Sequence, residues 1–256
     1  MRRLTGLSKL STLELLSPDW PAPENVVALS TTRHGGVSEA PWTGLNLGVH
    51  VGDDIQKVRQ NRAALRAAAD LPSTPIWLEQ VHGIQVVDAS VSGSGNREAD
   101  ASYSQQPNVV CVVMTADCLP LLVCDRQGSF VAAIHAGWRG LQAGVIASTL
   151  TRYQGSMDDL LVWLGPAIGS DAFEVGAEVR EAFCRQDSEA QTAFKPGSTP
   201  EKWLADLYQL ARQNLRRLGV QSVYGGELCT YSDEQRFYSY RRDGQTGRMA
   251  SLIWLK

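Results

Sequence analysis

The run from Val109 to Arg139, VVCVVMTADCLPLLVCDRQGSFVAAIHAGWR, constrains the fold more than any other part of the chain. It holds two apolar, β-branched stretches, VVCVVM and FVAAI, dense enough to be strands buried on both faces. A reactive side chain and turn chemistry follow each one: Cys118 before Leu-Pro, and His135 before Ala-Gly-Trp-Arg-Gly. Sites gather where buried strands end, so a thiol and an imidazole at two such ends can meet in space. A third candidate is His82 in LEQVHG, where another apolar-rich segment closes on a glycine. One Cys and two His form a three-donor set that leaves a fourth zinc position open, the pattern of a catalytic rather than a structural site.

Composition narrows the class. With 43% hydrophobic and 20% charged residues, the 256-residue chain has ample material for a core and no break that demands a second unit. We read 1–256 as a single domain with residues 1–24 as a lead-in. A net charge of −3 argues against a nucleic-acid surface. No apolar run approaches the roughly 18 residues of a membrane helix. The start, MRRLTGLSKLSTLELLSPDW, lacks the long apolar core and small-residue cleavage site of a signal peptide. Five irregularly spaced cysteines do not suggest a disulfide framework, so a reducing cytoplasm is the natural setting.

Hydrophobic periodicity predicts strands at Val26–Ser30, at Trp77–His82 continuing through Gln85–Asp88, and at Leu160–Leu164. Further strands are expected from Gly219 through Val223 towards Cys229, at Phe237–Tyr240 and at Met249–Leu255. Helices are expected at Asp54–Asp70, Leu141–Tyr153, Phe173–Cys184 and Lys202–Leu218. Ser92–Gln106 reads as a surface loop, with Asp100 its only acidic residue placed rather than solvated. The order is not strict βαβ alternation, which makes a mixed-sheet α/β (α+β) domain the expected class.

Spacing alone does not make a metal site, because the intervals between His82, Cys118 and His135 are long. Their positions at element ends favour one, and Asp117 beside Cys118 can act as a base or support a ligand. A thiol hydrolase, with Cys118 as nucleophile and His135 as base, remains open on the same residues. Cys111 and Cys124 lie inside apolar strands, Cys184 sits late in a helix, and Cys229 opens a turn as a further candidate. His34 and His50 read as solvated loop histidines. Arg33, on a Gly-Gly turn, reads in isolation as a solvated arginine. The helix start at Gly137–Gly140, beside Arg139, offers N–H groups for an anion.

The motifs TTRHGGVS, LNLG, LEQVHG, EADA, TADCLPLLV, IHAGWRG, GPAIG, FEVG, ELCT and FYSYRRDG, in this order, resemble the YfiH/YlmD-type proteins, long labelled multicopper polyphenol oxidases or laccases. The match runs from about Ser30 to the C-terminus. The resemblance implies layered sheets and helices, and zinc held by His82, Cys118 and His135. It also implies phosphorolysis of adenosine, inosine, guanosine and methylthioadenosine to base and ribose 1-phosphate, with adenosine deamination, and a role in peptidoglycan-precursor fidelity in bacterial members. Copper is disfavoured, since four histidines cannot supply several copper sites. On this reading Arg33 and the Gly137–Gly140 turn, with Arg139, seat phosphate, Asn46 and Gln80 contact ribose or base, and Asp117 accepts a proton. Arg241, Arg242 and Arg248 are candidates to line the mouth of the site, although a charge run in a turn is more often solvated. The partners are then purine nucleosides and phosphate, with neither nucleic acid nor membrane, for a monomer or small homo-oligomer. A peptidoglycan-precursor editing or binding protein and a Cys-type hydrolase are the competing readings.

Overall fold

The computed structural model describes residues 13–91 and 98–256. The alternation of side chains along a strand sorts the core into layers. A six-stranded mixed sheet runs β12 (Ser222–Gly225), β8 (Leu160–Leu164), β6 (Leu119–Asp125), β7 (Val131–Ala136), β4 (Ala101–Ser104), β3 (Val86–Asp88). Its two outer pairs are parallel and the inner ones antiparallel. Leu119, Leu121 and Val123 point one way, into a core with Ile134, Leu141, Val145, Val179 and Leu210. Leu122 and Cys124 point the other way, against Cys111, Val113 and Ile253.

Those last residues belong to a second, antiparallel sheet, in the order β1 (Leu15–Leu16), β2 (Val26–Thr31), β13 (Met249–Leu255), β5 (Cys111–Thr115). Its far face carries Leu29, Val112, Leu252 and Trp254, covered by Leu65 of helix α1 (Ile55–Ala68). The opposite outer layer consists of α2 (Trp138–Ala143), α3 (Val145–Leu150), α4 (Ala177–Gln186) and α5 (Leu207–Arg217). The expected mixed α/β architecture is therefore realised as two stacked sheets between helical layers. Burial on both faces explains why the central strands read as continuous apolar runs rather than alternating ones. Among the described residues no helix is long and apolar enough to cross a membrane.

Several expected elements differ. Leu141–Tyr153 is not one helix: Gly144 adopts φ +100° and separates α2 from α3, a conformation that suits glycine and ends the first segment. The front of Phe173–Cys184 is β9 (Glu174–Gly176), and the front of Lys202–Leu218 is β11 (Lys202–Ala205). These pair with each other, and β11 pairs on its other edge with β10 (Phe194–Pro196), in a small antiparallel sheet. Helix α5 begins only after Asp206, whose carboxylate accepts from the Gln209 N–H at 2.9 Å. Phe237 and Tyr238 are fully buried without pairing as a strand, and Ser239 caps the short α6 (Tyr240–Asp243). Within Ser92–Gln106, residues 101–104 form β4, while 92–97 lie outside the described residues. Trp77–His82 is not a strand: Glu79 makes an isolated bridge to Glu98, and His82 stands at φ +62° in a turn.

Candidate metal centre and its cavity

The antiparallel register of β6 and β7 pairs Leu119 with Ala136 and Pro120 with His135. Continued by one residue, it sets Cys118 opposite Gly137, so Cys118 and His135 share a face as diagonal neighbours. Asp117, at φ +90°, makes the turn that delivers the thiol. Its two carboxylate oxygens accept from Thr230 Oγ1 at 2.7 Å and from the Arg241 N–H at 2.6 Å. Glycine at 137 leaves the facing position vacant, and the His82 ring enters it. A Cβ built on Gly137 would stand 2.5 Å from His82 Cδ2 and 3.1 Å from Cys118 Sγ. Gly137→Ala is therefore expected to displace His82 and lower metal affinity by at least about tenfold while leaving the sheet intact. Equilibrium dialysis against zinc checks this, and wild-type affinity in the variant would contradict the packing.

Asp100, fully buried, organises the rest. Its Oδ1 accepts from His135 Nδ1 at 2.8 Å and from the His82 N–H at 2.9 Å. Its Oδ2 accepts from the N–H groups of Gly83 at 2.6 Å and Val81 at 3.3 Å. One carboxylate thus fixes the turn that carries His82 and holds the His135 Nδ1–H, so Nε2 is the nitrogen left to coordinate once its own proton is displaced. Burial alone would raise the Asp100 pKa, but these bonds hold it below the usual carboxylate range. The sequence marks Asp100 as placed without assigning it to the site.

The candidate ligand atoms of His82, Cys118 and His135 lie within 4.8 Å of one another. Cys118 Sγ and His82 Nε2 are 3.6 Å apart. Ligand bonds of about 2.0–2.3 Å at tetrahedral angles put N and S donors about 3.6 Å apart, so this edge already fits a tetrahedral ion. Burial raises the Cys118 thiol, but His135 and His82 outweigh it and bring it down to about 6. Burial lowers His135, yet Cys118 and Asp100 raise it to about 9. The pair therefore exists at neutral pH as thiolate and imidazolium, with the sulfur already in its coordinating form. By contrast, burial pushes Cys111 and Cys124 up to about 12, which keeps them protonated.

A cavity of about 530 Å³ opens on the three donors. Of the other residues assigned to the site from sequence, Gln80 and Arg139 line it. Gln80 is committed to the wall, exchanging both amide hydrogen bonds with the Met114 backbone at 2.7 and 2.8 Å. Arg139 stacks over the Trp138 ring at 4.6 Å. The helix beginning there, α2, has only six residues, too short for a strong terminal field. Asn46 is fully buried in the loop and bonded to Gly48, Asp53 and the Arg248 backbone. Arg33 does not line the cavity: its guanidinium donates to the Glu234 carbonyl and stacks on Tyr238. Sequence alone did not place His50 or Tyr240 here and favoured a solvated Arg248 over one at the mouth; all three line the cavity. Arg241 and Arg242 are bonded elsewhere, to Glu174 and to Asp243 with the 230–237 carbonyls. A wider cavity of about 800 Å³ lies beside β1 and β12, away from this cluster.

A family model described as multi-copper polyphenol oxidoreductase laccase matches residues 27–256. The chain belongs to that family. Its relatives include purine nucleoside phosphorylase YfiH of Shigella flexneri, 54% identical across 94% of this chain and 99% of that one. Purine nucleoside phosphorylase PA4543 of Pseudomonas aeruginosa is 56% identical across 94% of this chain and 98% of its own. The crystal structure of Neisseria meningitidis protein NMB0706 superposes with a TM-score of 0.91 at 51% identity, covering 96% of this chain and 100% of that one. YlmD from Geobacillus stearothermophilus follows at TM-score 0.86 and 31% identity, covering 92% and 94%. The family's description speaks of several coppers, whereas this member has four histidines in all. His34 lies against Glu14 at 3.6 Å, outside the cavity, and His50 lines it without joining the three donors. Among the described residues, this family member presents one thiolate–bis-imidazole cluster that could hold a metal.

Proposed function

We propose that the chain is a zinc-dependent purine nucleoside phosphorylase acting on adenosine, inosine, guanosine and methylthioadenosine, with adenosine deamination as a side activity in a cytoplasmic setting. The observation that carries this reading is the His82, Cys118 and His135 donor set opening on a cavity whose other charged lining is cationic. Relatives more than half identical over nearly their full length bear the phosphorylase name, which supports it. Two imidazoles and a thiolate suit zinc, which when bound supplies a Lewis acid with one position open to a substrate oxygen.

The remaining work falls to the chain's own side chains. In phosphorolysis a phosphate oxygen bonds to the ribose carbon as the bond to the purine nitrogen breaks, and the departing base takes up a proton. Arg139 supplies positive charge towards phosphate, and Met114 and Trp138 offer apolar surface to the purine. Asp100 holds His135 and the His82 turn, and Asp117 holds the turn that presents Cys118. Asn46 and Gln80 act in the same indirect way, by fixing Arg248 and Met114. Mass-spectrometric product analysis with adenosine, with and without phosphate, tests the reading. Adenine and ribose 1-phosphate formed only with phosphate are expected. Inosine alone would reduce the activity to deamination, and no product in either condition would overturn the reading.

Metal loading is expected to depend on pH. Between about 6 and about 9 the sulfur is ionised and His135 is protonated, so zinc entry displaces about one proton. Zinc affinity should weaken about tenfold for each pH unit lost in that window, and more steeply below it as the thiolate protonates too. Calorimetry at neutral pH in buffers of different ionisation enthalpy counts the proton. Release of none would contradict the thiolate–imidazolium pairing.

A further inference from the structure

We infer that Arg248, with His50 and Arg139 beside it, forms the seat for inorganic phosphate in this cavity. The anion's identity rests on the phosphorylase reading; the seat itself rests on the side chains. Besides the three metal donors, the cavity is lined by His50, Arg139 and Arg248 as titratable or charged groups together with Tyr240, and by no described Asp or Glu. Apart from the Cys118 thiolate, which belongs to the metal donors, the charged lining is cationic, and that favours an oxyanion over a cationic ligand.

Arg248 is held in place by neutral groups. Its Nη1 donates to the carbonyls of Thr246 at 3.2 Å and Gly247 at 2.9 Å. No carboxylate lies within ion-pair distance of it among the described residues. A half-buried guanidinium fixed by carbonyls keeps its charge and its remaining N–H groups available for a bidentate anion. Its backbone is stitched to the loop that carries His50. Asn46 Oδ1 accepts from the Arg248 N–H at 2.9 Å, and the Leu47 N–H donates to the Arg248 carbonyl at 3.2 Å. A Cβ on Gly48 would come within 2.8 Å of Arg248 Cγ, so the stem lies directly on that loop. Two segments some 200 residues apart are thereby locked with His50 and Arg248 at one cavity. Burial, together with Arg248 and Arg62, pushes the His50 imidazole below its usual range, so it enters as a neutral N–H donor.

The experiment is calorimetric titration of orthophosphate into the zinc-loaded protein, which requires no turnover. Arg248→Met should weaken phosphate binding at least about tenfold, with Arg248→Lys intermediate and His50→Gln down a few-fold. Arg33→Met should bind as the parent protein does. Zinc stoichiometry reports that each variant is folded. In turnover, KM for phosphate should rise in Arg248→Met while KM for the nucleoside stays constant. A folded, zinc-replete Arg248→Met protein with unchanged phosphate affinity would overturn the seat, as would loss of binding in Arg33→Met. Phosphate binding that depends on Arg248 in a protein that cleaves no nucleoside would uphold the seat and refute the phosphorylase reading.

Discussion

Cys118→Ala is expected to empty the metal centre at micromolar zinc and to reduce nucleoside phosphorolysis to background. A complete four-ligand zinc site contributes about 10–16 kcal/mol, so one thiolate among the ligands accounts for about 2.5–4 kcal/mol, or roughly 70- to 900-fold in affinity. The loss should sit at the upper end, because the departing ligand is the only anionic one in the set. Metal analysis after dialysis gives the answer directly. One equivalent of zinc retained by the variant would remove Cys118 from the ligand set. A chelator then separates the two chemistries available to this thiol. A zinc enzyme loses activity with its metal, whereas a cysteine nucleophile paired with His135 would keep it.

Asp100→Ala is expected to be the most destabilising single change at the centre. Four donors converge on that buried carboxylate: the His135 ring and the N–H groups of residues 81–83. Truncation strands them without water, at a cost of about 3–5 kcal/mol. For a chain of this size that corresponds to a fall in Tm of roughly 10 °C. Asp100→Asn keeps the shape but points an amide N–H₂ at donors, so zinc affinity should fall about 10–100-fold with a smaller loss of stability. The visible absorption of the cobalt-substituted protein would register the altered ligand geometry. An Asn variant with parental spectrum and affinity would show that the carboxylate serves the fold alone.

Sequence patterning revealed the parts of this molecule that local chemistry decides. Leu160–Leu164 and Met249–Leu255 form strands as expected because their apolar content matches burial on both faces. Cys118 and His135 were legible because each borders a run whose pairing is antiparallel and close in sequence. His50 and Tyr240 were not, and Arg248 was legible only as a candidate for the mouth with solvation favoured, since their loops are placed by contacts such as Asn46 to Arg248 that leave no periodic trace. Arg33 stood in a suggestive glycine turn, yet its guanidinium is held by the Glu234 carbonyl, 201 residues away. Phe237 and Tyr238 look like a strand because full burial selects the same residue types whether or not the backbone pairs. The helical stripes at Phe173 and Lys202 failed in their first turns, where short segments satisfy either period.

The three donors come from separate places: a turn after residue 81, the entry to β6 and the exit of β7. Thirty-six positions part the first from the second, and no two are close enough to grip an ion in an extended chain. A nascent polypeptide therefore offers metal no assembled three-donor site until the central hairpin has closed and the 81–83 turn has docked on it. The three-donor site is thus complete only in the folded scaffold, which a metal would seal rather than nucleate. An ion held there would act as a clasp joining chain segments, and free metal would raise the threshold for their separation. A cell that starves this protein of metal should accumulate it folded but idle, ready to be switched on by supply alone.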